Sequence, residues 1–226
     1  MSKTNVQIVQ EYIEEVLNHK HFDRVFDYCA EDCVLHVPPY VGLGLNFDDR
    51  SGDKVVLMDI APNGPAAGSL QAGDEVVRVI DGAKTWETFK DLKSGLWGQG
   101  VMGTPITFTV NRAGKLMDIP LKRGRVDGFD LVLSTYIDVW RDGTLKDWPD
   151  LKVEIKRIFG EGDQVACYSI DSGTNQEYQR SAVWSEVSIY HLKDGKIVEM
   201  WGVEDGFSQM KQLGYQIHEP VTEQAG

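Results

Sequence analysis

A carboxylate in an aromatic strand near the end of the chain is the pattern with the most direct chemical meaning. Glu199, Trp201, Val203 and Asp205 are spaced by two, so they share one face of a predicted strand. An apolar surround disfavours the ionised form of a carboxyl group and raises its pKa toward neutral pH. Such a group can move a proton to and from a carbon acid, which makes Asp205 the predicted general acid–base. The structural alternative is that Asp205 caps a helix predicted over 207–213.

Two histidines are candidates for an auxiliary role. His36 lies in a short extended segment that Pro38 and Pro39 end. Because imidazole titrates near neutrality, His36 is predicted to hydrogen-bond a substrate or to orient Asp205. A purely structural role is the alternative for His36, and it is the favoured interpretation for His191.

Composition and charge exclude several classes of protein. The chain has 226 residues and a net charge of −12, which argues against nucleic acid as a partner because its phosphates would be repelled. No apolar run approaches the roughly 20 residues that span a bilayer, so no membrane partner is predicted. The first ten residues lack the basic and apolar regions of a secretion signal. Three cysteines without metal-ligand spacing predict reduced thiols in a cytoplasmic protein that has no metal site.

The elements that would position these side chains change character along the chain. Helical periodicity predicts helices over 4–18 and 22–29, before an extended segment over 33–37. Residues 41–125 are rich in glycine and predict four strands with one helix over 85–96. This middle section has eleven basic and ten acidic residues, so the negative charge of the chain lies outside it. After it, the pattern predicts a helix over 129–140, strands over 151–159, 164–169, 181–192 and 196–203, and a final helix that Gly214 ends.

The middle section carries the more specific of two signatures. Residues 64–82 read GPAAGSLQAGDEVVRVIDG, and they follow the segment Gly42-Leu43-Gly44-Leu45. Over about 40–125 these residues resemble a PDZ domain, most like those attached to bacterial proteases. The resemblance implies that the Gly-Leu-Gly-Leu segment is a loop whose backbone N–H groups bind a peptide carboxylate. Glycine permits that backbone at low cost.

A peptide bound in this way would add a strand to the sheet. The strand from Leu45 to Phe47 would offer an unpaired edge, and the helix from Thr85 would form the other wall of the groove, with Phe89 and Leu92 facing it. The predicted partner is the C-terminus of another protein. A tight turn without a ligand is the alternative interpretation of the glycine segment.

The flanking sections carry the second signature. The runs WPDL at 148–151, DGKIVEMWGVED at 194–205 and QLG at 212–214 are similar to the SnoaL-like polyketide cyclases of the NTF2-like superfamily. The His36-Val37-Pro38 element matches a His-x-Pro that is frequent in that family. The resemblance implies a cofactor-free enzyme in which an aspartate, here Asp205, is the acid–base of an intramolecular aldol cyclisation.

The two resemblances together define the predicted fold. It is an α+β protein: an NTF2-like cone, with a curved antiparallel sheet around helices, formed by 1–39 and 126–226 and interrupted by a PDZ domain at 40–125. The cone implies an apolar pocket for a small apolar ligand, and the predicted lining residues are Trp201, Glu199, Trp148 and Tyr12.

Two functions remain open at this stage. The first is a cyclase or isomerase acting on a small apolar carbonyl compound. The second is a non-catalytic adaptor that binds peptides or senses a ligand and uses the NTF2-like domain to dimerise. An accessory subunit of a protease is a third interpretation, by analogy with the PDZ type. A homodimer is implied by the resemblance.

Overall fold

The computed structural model describes residues 3–48, 50, 52–98 and 100–216. It divides the chain into two compact units. Residues 1–35 and 132–226 form the discontinuous unit, and residues 36–131 form the inserted unit. The sequence placed the two junctions at 39/40 and 125/126, a few residues closer to the middle of the chain.

The described residues form five α-helices, two other helical turns and fourteen strands. The helical segments are α1 (Asn5–Tyr12), a π-helical turn (Ile13–Asn18), a 3-10 turn (Phe22–Arg24), α2 (Val25–Tyr28), α3 (Phe89–Lys93), α4 (Leu133–Asp147) and α5 (Gly206–Leu213). The strands are β1 (Cys29–Val37), β2 (Tyr40–Gly42), β3 (Leu45–Asp48), β4 (Val55–Ile60), β5 (Glu75–Asp81), β6 (Lys84–Trp86), β7 (Pro105–Arg112), β8 (Lys115–Lys122), β9 (Gly124–Val126), β10 (Phe129–Val132), β11 (Lys152–Glu161), β12 (Gln164–Asn175), β13 (Arg180–Lys193) and β14 (Lys196–Glu204).

The discontinuous unit is built on a sheet in which β1, β14, β13, β12 and β11 are neighbours in that order. Strands β11 to β14 pair antiparallel with their sequence neighbours. The hairpin between β13 and β14 turns at Asp194 and Gly195, both with positive φ, as the Asp-Gly dipeptide predicts. Alternate residues of each strand therefore face the same side, so one side of β12 and β13 is buried and the other is largely exposed.

Helix α1 begins where its sequence specifies. The Thr4 hydroxyl accepts a hydrogen bond from the Gln7 N–H at 3.2 Å, and the Gln7 side chain accepts one from the Thr4 N–H at 2.9 Å. The apolar stripe predicted over 4–18 then continues through the π-helical turn and supplies the buried core of this unit with Val9, Tyr12 and Val16. The same core takes Val165, Cys167, Tyr190, Leu192 and Ile197 from the buried side of the sheet.

The inserted unit has its own core and its own sheet. Strands run in the order β3-β4-β5-β7-β8, with β6 beside β5, while β2 and β9 form a separate two-stranded ladder. Its largest fully buried side chains include Trp97, Phe108 and Leu43. Asp74, fully buried, binds the Arg112 guanidinium through both carboxylate oxygens at 2.7 Å.

Two predicted helices differ from the structure. The helix predicted over 85–96 is only α3, because Thr88 caps it through the Asp91 N–H and β6 takes the residues before it. The helix predicted from Phe129 begins at Leu133, because β10 occupies the first four residues. In both cases a strand occupies the first residues of the predicted helix. Helical periodicity does not detect the pairing of strands.

Helix length also bears on the membrane prediction. Across the residues that the structure describes, none of the helices is both long and apolar enough to cross a bilayer.

Candidate active site and peptide groove

Three carboxyl groups lie on one side of the sheet in the discontinuous unit, the side on which Asp171 is buried. Asp171 lies on β12, Glu186 on β13 and Glu204 at the end of β14. Glu186 pairs directly with Glu204 on one neighbouring strand and with Ser169 on the other, two residues before Asp171. Directly opposed and diagonal positions on one face bring side chains together. The alternation of the strands thus concentrates negative charge in one place.

Asp171 is the most buried member of this cluster. It is 4% exposed, and its Oδ1 atom accepts a hydrogen bond from the Ser169 hydroxyl at 2.7 Å. Burial raises the pKa of Asp171 to about 7, the Ser169 hydroxyl opposes that rise, and Glu186 and Glu204 add to it. Asp171 is therefore poised to gain or lose a proton near neutral pH.

The other two carboxyl groups complete the cluster. The Ser188 hydroxyl donates to Glu186, and Gly202 leaves room beside it, because a Cβ at Gly202 would lie 3.3 Å from Glu186 Oε1. Burial raises the pKa of Glu204, and the charge of Glu186 raises it further. A hydrogen bond from Asp171 to Glu186 is among the causes of the raised pKa of Asp171.

The carboxyl cluster lies between apolar regions of the same sheet face. On one side are Cys167 and Tyr190 of the main core, and on the other are Ala182, Trp184 and Leu213 of a smaller cluster. Tyr190 contacts the ring of Tyr12 edge-on at 6.0 Å. Aromatic and aliphatic walls with a few convergent polar groups are typical of small-molecule sites.

A second candidate site lies in the inserted unit, along the edge strand β3. The Leu43 carbonyl accepts from the Ala66 N–H at 3.1 Å, and the Gly44 carbonyl accepts from the Ala61 N–H at 2.8 Å. Two successive carbonyls can point the same way here because Gly44 has φ +76°. β3 is the last strand of its sheet, so its outer edge is open to an added strand.

The groove beside β3 is apolar and aromatic. It has a volume of about 320 Å³, and its wall includes Leu45, Phe47 and Trp97, whose indole ring lies 5.5 Å from that of Phe47. Tyr40 lines it as well. A groove of this composition next to an open strand edge fits an extended peptide with an apolar side chain.

Comparison with protein families decides what these two units are. Residues 133–213 match the family model of the SnoaL-like polyketide cyclases, and residues 41–122 match that of the PDZ domain. The discontinuous unit is therefore similar to the SnoaL-like polyketide cyclases, and the inserted unit is similar to PDZ domains. No curated protein sequence matches the chain. After this similarity the discontinuous unit is hereafter called the cyclase domain and the inserted unit the PDZ domain, and the cyclase domain has the mixed α+β architecture expected from the sequence.

Solved structures similar to the chain include two described as polyketide cyclases. IdmH from Streptomyces antibioticus is 14% identical, with 94% of this chain and 100% of that chain covered and a TM-score of 0.49. A SnoaL-like polyketide cyclase from Agrobacterium tumefaciens is 14% identical, with 94% and 100% covered and a TM-score of 0.48. TsrD from Streptomyces laurentii is 11% identical, with 95% and 98% covered and a TM-score of 0.45.

The predicted acid–base Asp205 lies just after β14 and caps α5. Its side chain accepts a hydrogen bond from the Ser208 N–H at 3.0 Å, and the residue is exposed. This is the helix-capping geometry that the sequence offered as the alternative. A cap does not prevent proton transfer, so the catalytic role of Asp205 stays a prediction.

The predicted wall residues Glu199 and Trp201 lie on the other side of the sheet from the carboxyl cluster. Trp201 pairs with Ile189 and Glu199 with His191, whereas the buried side of β14 carries Met200, packed on the core. The spacing by two correctly placed them on one face, but periodicity alone does not say which face is buried. Their role as pocket residues is not supported by this placement.

The other predicted residues of the cyclase domain are in or beside apolar clusters. Tyr12 is 2% exposed in the main core, and Trp148 packs on the smaller cluster with its ring 5.1 Å from that of Trp184. His36 belongs to the inserted unit, where its Nδ1 lies 2.8 Å from Asp130 Oδ1. The proposed orientation of Asp205 by His36 stays a prediction.

In the PDZ domain the predicted peptide-binding residues separate into two groups. Leu45 and Phe47 line the groove, while Gly42 and Gly44 shape the loop before it. Leu43 and Leu92 are buried in the core, and Phe89 packs against it, so these three support the groove from behind. Leu43 is fully buried.

Asp171 and Glu186 are the candidate residues that sequence analysis did not identify. The strand predicted over 164–169 ends before Asp171, whereas β12 continues to Asn175. The signal was present as a period of two, since Cys167, Ser169 and Asp171 share the buried side. This period was not recognised because Ser169 and Asp171 are polar, and a run of polar residues in a sequence is interpreted as a loop.

A possible metal-ligand group was also not expected from the sequence. Within the described part of the chain, Glu15, His19 and His21 bring three ligand atoms within 4.8 Å of one another. Both histidines are exposed, and the Glu15 carboxylate is paired with Arg24 as well as with His21. This arrangement is equally explained by ion pairing at a surface.

Proposed function

We propose that the cyclase domain is a cofactor-free cyclase or isomerase that acts on a small apolar carbonyl compound, with Asp171 as its acid–base. The observation that carries this proposal is the buried Asp171 carboxyl group, whose pKa of about 7 is set by burial and by neighbouring carboxylates. General acid–base catalysis is most effective when the pKa lies near the working pH. The match of 133–213 to the SnoaL-like family model supports the reaction class.

The chemistry follows from a proton that two carboxyl groups share. The ionised member removes a proton from the carbon next to a substrate carbonyl, and the protonated member donates its proton to the carbonyl oxygen. The enol then returns its hydroxyl proton to the carboxylate that supplied it and attacks a second carbonyl, whose oxygen takes the proton held by the other carboxyl group. In an isomerisation the enol likewise returns its hydroxyl proton, and the other carboxyl group delivers its proton to a different carbon. Each carboxyl group therefore ends the cycle in its starting form.

The first experiment measures deuterium exchange next to a carbonyl. A panel of aryl 1,3-diketones in deuterium oxide is followed by proton NMR with the wild type, Asp171→Asn and Asp205→Asn. We expect Asp171→Asn to lose on the order of a hundredfold or more in exchange rate, the usual scale for a general base. Loss in Asp205→Asn alone would restore the acid–base predicted from the sequence. Absence of exchange with every compound of the panel would contradict the enzymatic proposal.

We also propose that the PDZ domain binds the free C-terminus of a protein along β3. The open edge of β3, the positive φ of Gly44 and the aromatic groove beside them support this proposal. The matched test uses one set of peptides with a free carboxylate and the same set with a C-terminal amide. Equal binding of the two sets would contradict recognition of the carboxylate.

The adaptor function remains the second candidate, because the exposed side of the sheet in the cyclase domain is apolar. Val203, Val187 and Tyr168 are 68%, 48% and 39% exposed, and the register makes Val187 the direct partner of the other two. Large exposed apolar patches mark interaction surfaces. We propose that a second copy of this chain covers this patch to form a homodimer.

The oligomeric state tests this part of the proposal. Val187→Glu and Val203→Glu should convert a dimer to a monomer in analytical ultracentrifugation, because they place charge in the buried centre of the interface. Leu116→Glu, at a residue that is 64% exposed in the PDZ domain, is the matched control. A wild-type protein that sediments as a monomer at all concentrations would rule the dimer out.

A further inference from the structure

The backbone of the Gly42-Leu43-Gly44-Leu45 loop is fixed from behind. The Leu43 and Gly44 carbonyls are both bound by the segment 61–66. A trans peptide unit is planar, so its N–H points opposite to its carbonyl. The N–H groups of Gly44 and Leu45 are therefore directed away from 61–66. Two adjacent N–H groups aimed at one point form a concave anion site.

Tyr40 lies next to this loop and lines the same groove. It precedes the loop on β2, where it pairs with Val126. Its ring lies along its own strand, over Gly42. A Cβ at Gly42 would lie 2.5 Å from Tyr40 Cε2 and 2.9 Å from Cδ2, so the ring rests directly on the Gly42 backbone. Burial raises the pKa of Tyr40, and the backbone N–H groups of Gly44 and Leu45 lower it.

We propose that the Tyr40 side chain occupies the carboxylate position of the peptide groove in the free protein and that an arriving peptide C-terminus displaces it. This inference rests on the proposed peptide binding and specifies how the site is controlled. Gly42 is required for the contact, because only a residue without a Cβ lets the ring lie against the loop. The N–H group of Leu45, the residue that begins β3, would bind either the Tyr40 side chain or the peptide carboxylate.

The self-contact sets a threshold for ligands. A peptide carboxylate forms charge-assisted hydrogen bonds, which are about twice as strong as those of a neutral hydroxyl group. A carboxylate can therefore displace Tyr40, whereas a neutral peptide end gains nothing over it. Tyr40 also lines the groove, so its displacement changes the shape of the wall that receives the last side chain of the peptide.

Tyr40→Phe is the variant that isolates the hydroxyl group, because it keeps the ring on Gly42 and the wall of the groove. The probes are fluorescein-labelled octapeptides that end in Leu, Phe, Val or Ala, each with a free carboxylate and as its C-terminal amide. Fluorescence anisotropy is measured on the full chain. We expect the variant to bind the free carboxylates about fivefold tighter, the factor for loss of one competing neutral hydrogen bond.

The controls separate failure of this inference from failure of the proposed function. Tyr178→Phe, in the cyclase domain, removes an exposed tyrosine hydroxyl and should leave all affinities unchanged. Equal or weaker carboxylate binding by Tyr40→Phe would overturn the role of Tyr40 while peptide binding stands. No binding of any probe by either protein would overturn peptide binding and, with it, the displacement.

A measurement without peptide tests the contact itself. In ¹⁵N-resolved NMR spectra, Tyr40→Phe should shift the amide signals of Gly44 and Leu45 more than those of Val76 or Phe108, which lie in the core of the same domain. Amide signals of the loop that do not move would overturn the inference whatever the peptides do.

Discussion

Two buried aspartates, one in each unit, face opposite electrostatic surroundings. Asp74 in the PDZ domain is fully buried and binds Arg112 through both carboxylate oxygens, with a further hydrogen bond from the Gln71 N–H at 3.1 Å. Asp171 in the cyclase domain is nearly as buried, but its charged neighbours are the carboxylates Glu186 and Glu204. The negative charge of Asp74 is therefore balanced by a positive charge, whereas a negative charge on Asp171 is repelled by its neighbours.

The difference separates a carboxylate that holds a fold from one that is available for chemistry. A paired carboxylate stays ionised and fixes the loop around it, so its removal leaves a charged partner alone. An opposed carboxylate stays protonated until the pH rises, so the fold carries a cost for its ionisation. Perturbed groups of the second kind are concentrated at functional sites.

The largest expected effect is on Asp74. Asp74→Asn should destabilise the PDZ domain by about 3–5 kcal/mol, because it leaves the Arg112 guanidinium without its partner. Urea denaturation followed by the amide NMR signals of Val76 and Phe108, in the core of the PDZ domain, gives the free energy of unfolding. The matched control is Asp118→Asn, at an exposed carboxylate near Arg78, with an expected loss of under about 1 kcal/mol. Similar losses of stability in both variants would show that the pair with Arg112 does not make Asp74 more important than an exposed carboxylate.

The next effect is on the pH dependence of the cyclase domain. Since folding raises the pKa of Asp171 from 3.8 to about 7, the folded protein keeps a proton that the unfolded chain releases in this window. Stability should therefore fall as the pH rises from 5 to 7, at most roughly 1.4 kcal/mol per pH unit. Asp171→Asn should remove that fall and be more stable than the wild type by up to roughly 4 kcal/mol at pH 8, because the full rise of the pKa from 3.8 to about 7 corresponds to roughly 1.4 kcal/mol for each pH unit.

Urea titrations of the wild type and Asp171→Asn at pH 5, 6, 7 and 8 measure this effect. Asp163→Asn, at an exposed aspartate of the same domain, serves as the control and should follow the wild type. A wild-type stability that rises over this range would show that Asp171 is ionised throughout.

A smaller effect is expected from the neighbour of Asp171. Glu186→Gln removes one of the charges that raise the pKa of Asp171, so that pKa should fall by on the order of one unit. Carboxyl-carbon NMR with Asp171→Asn for assignment measures it. An unchanged pKa would mean that burial acts alone and that the two carboxyl groups do not share a proton.

The smallest effect is on Asp205. Asp205→Ala should lose about 1 kcal/mol of stability through the cap of α5, whereas Asp205→Asn keeps a side-chain acceptor for the Ser208 N–H and should lose little. Thermal unfolding distinguishes them. Equal losses would mean that the charge, and not the cap, is what α5 requires.

The sequence revealed the fold because its strongest signals are local. The run at 64–82 and the run at 194–205 each combine turn residues with strands, and both the NTF2-like fold and the PDZ domain follow from them. The Asp194-Gly195 hairpin and the end of α5 at Gly214 are confirmed for the same reason, since single residues determine those backbone conformations.

The candidate site was harder to predict because it depends on pairing between distant strands. Asp171 and Glu186 meet only once β12 and β13 are in register, and Glu204 joins them only through β14. Alternation placed Glu199 and Trp201 on one face, but the buried face is chosen by the whole sheet. Tyr40 was overlooked because its contact depends on a ring that folds back along β2.

The ladder between β2 and β9 lowers the entropic cost of bringing the two chain segments of the cyclase domain together. Tyr40 pairs with Val126, so the two ends of the PDZ domain are held about 5 Å apart when it is folded. An unfolded insert of about 80 residues would make that closure cost roughly 2–3 kcal/mol more than a loop of five. A folded PDZ domain holds its two ends together, so it adds no more loop-closure entropy than a short loop would. Mutations that unfold the PDZ domain should therefore weaken the cyclase domain through chain entropy alone.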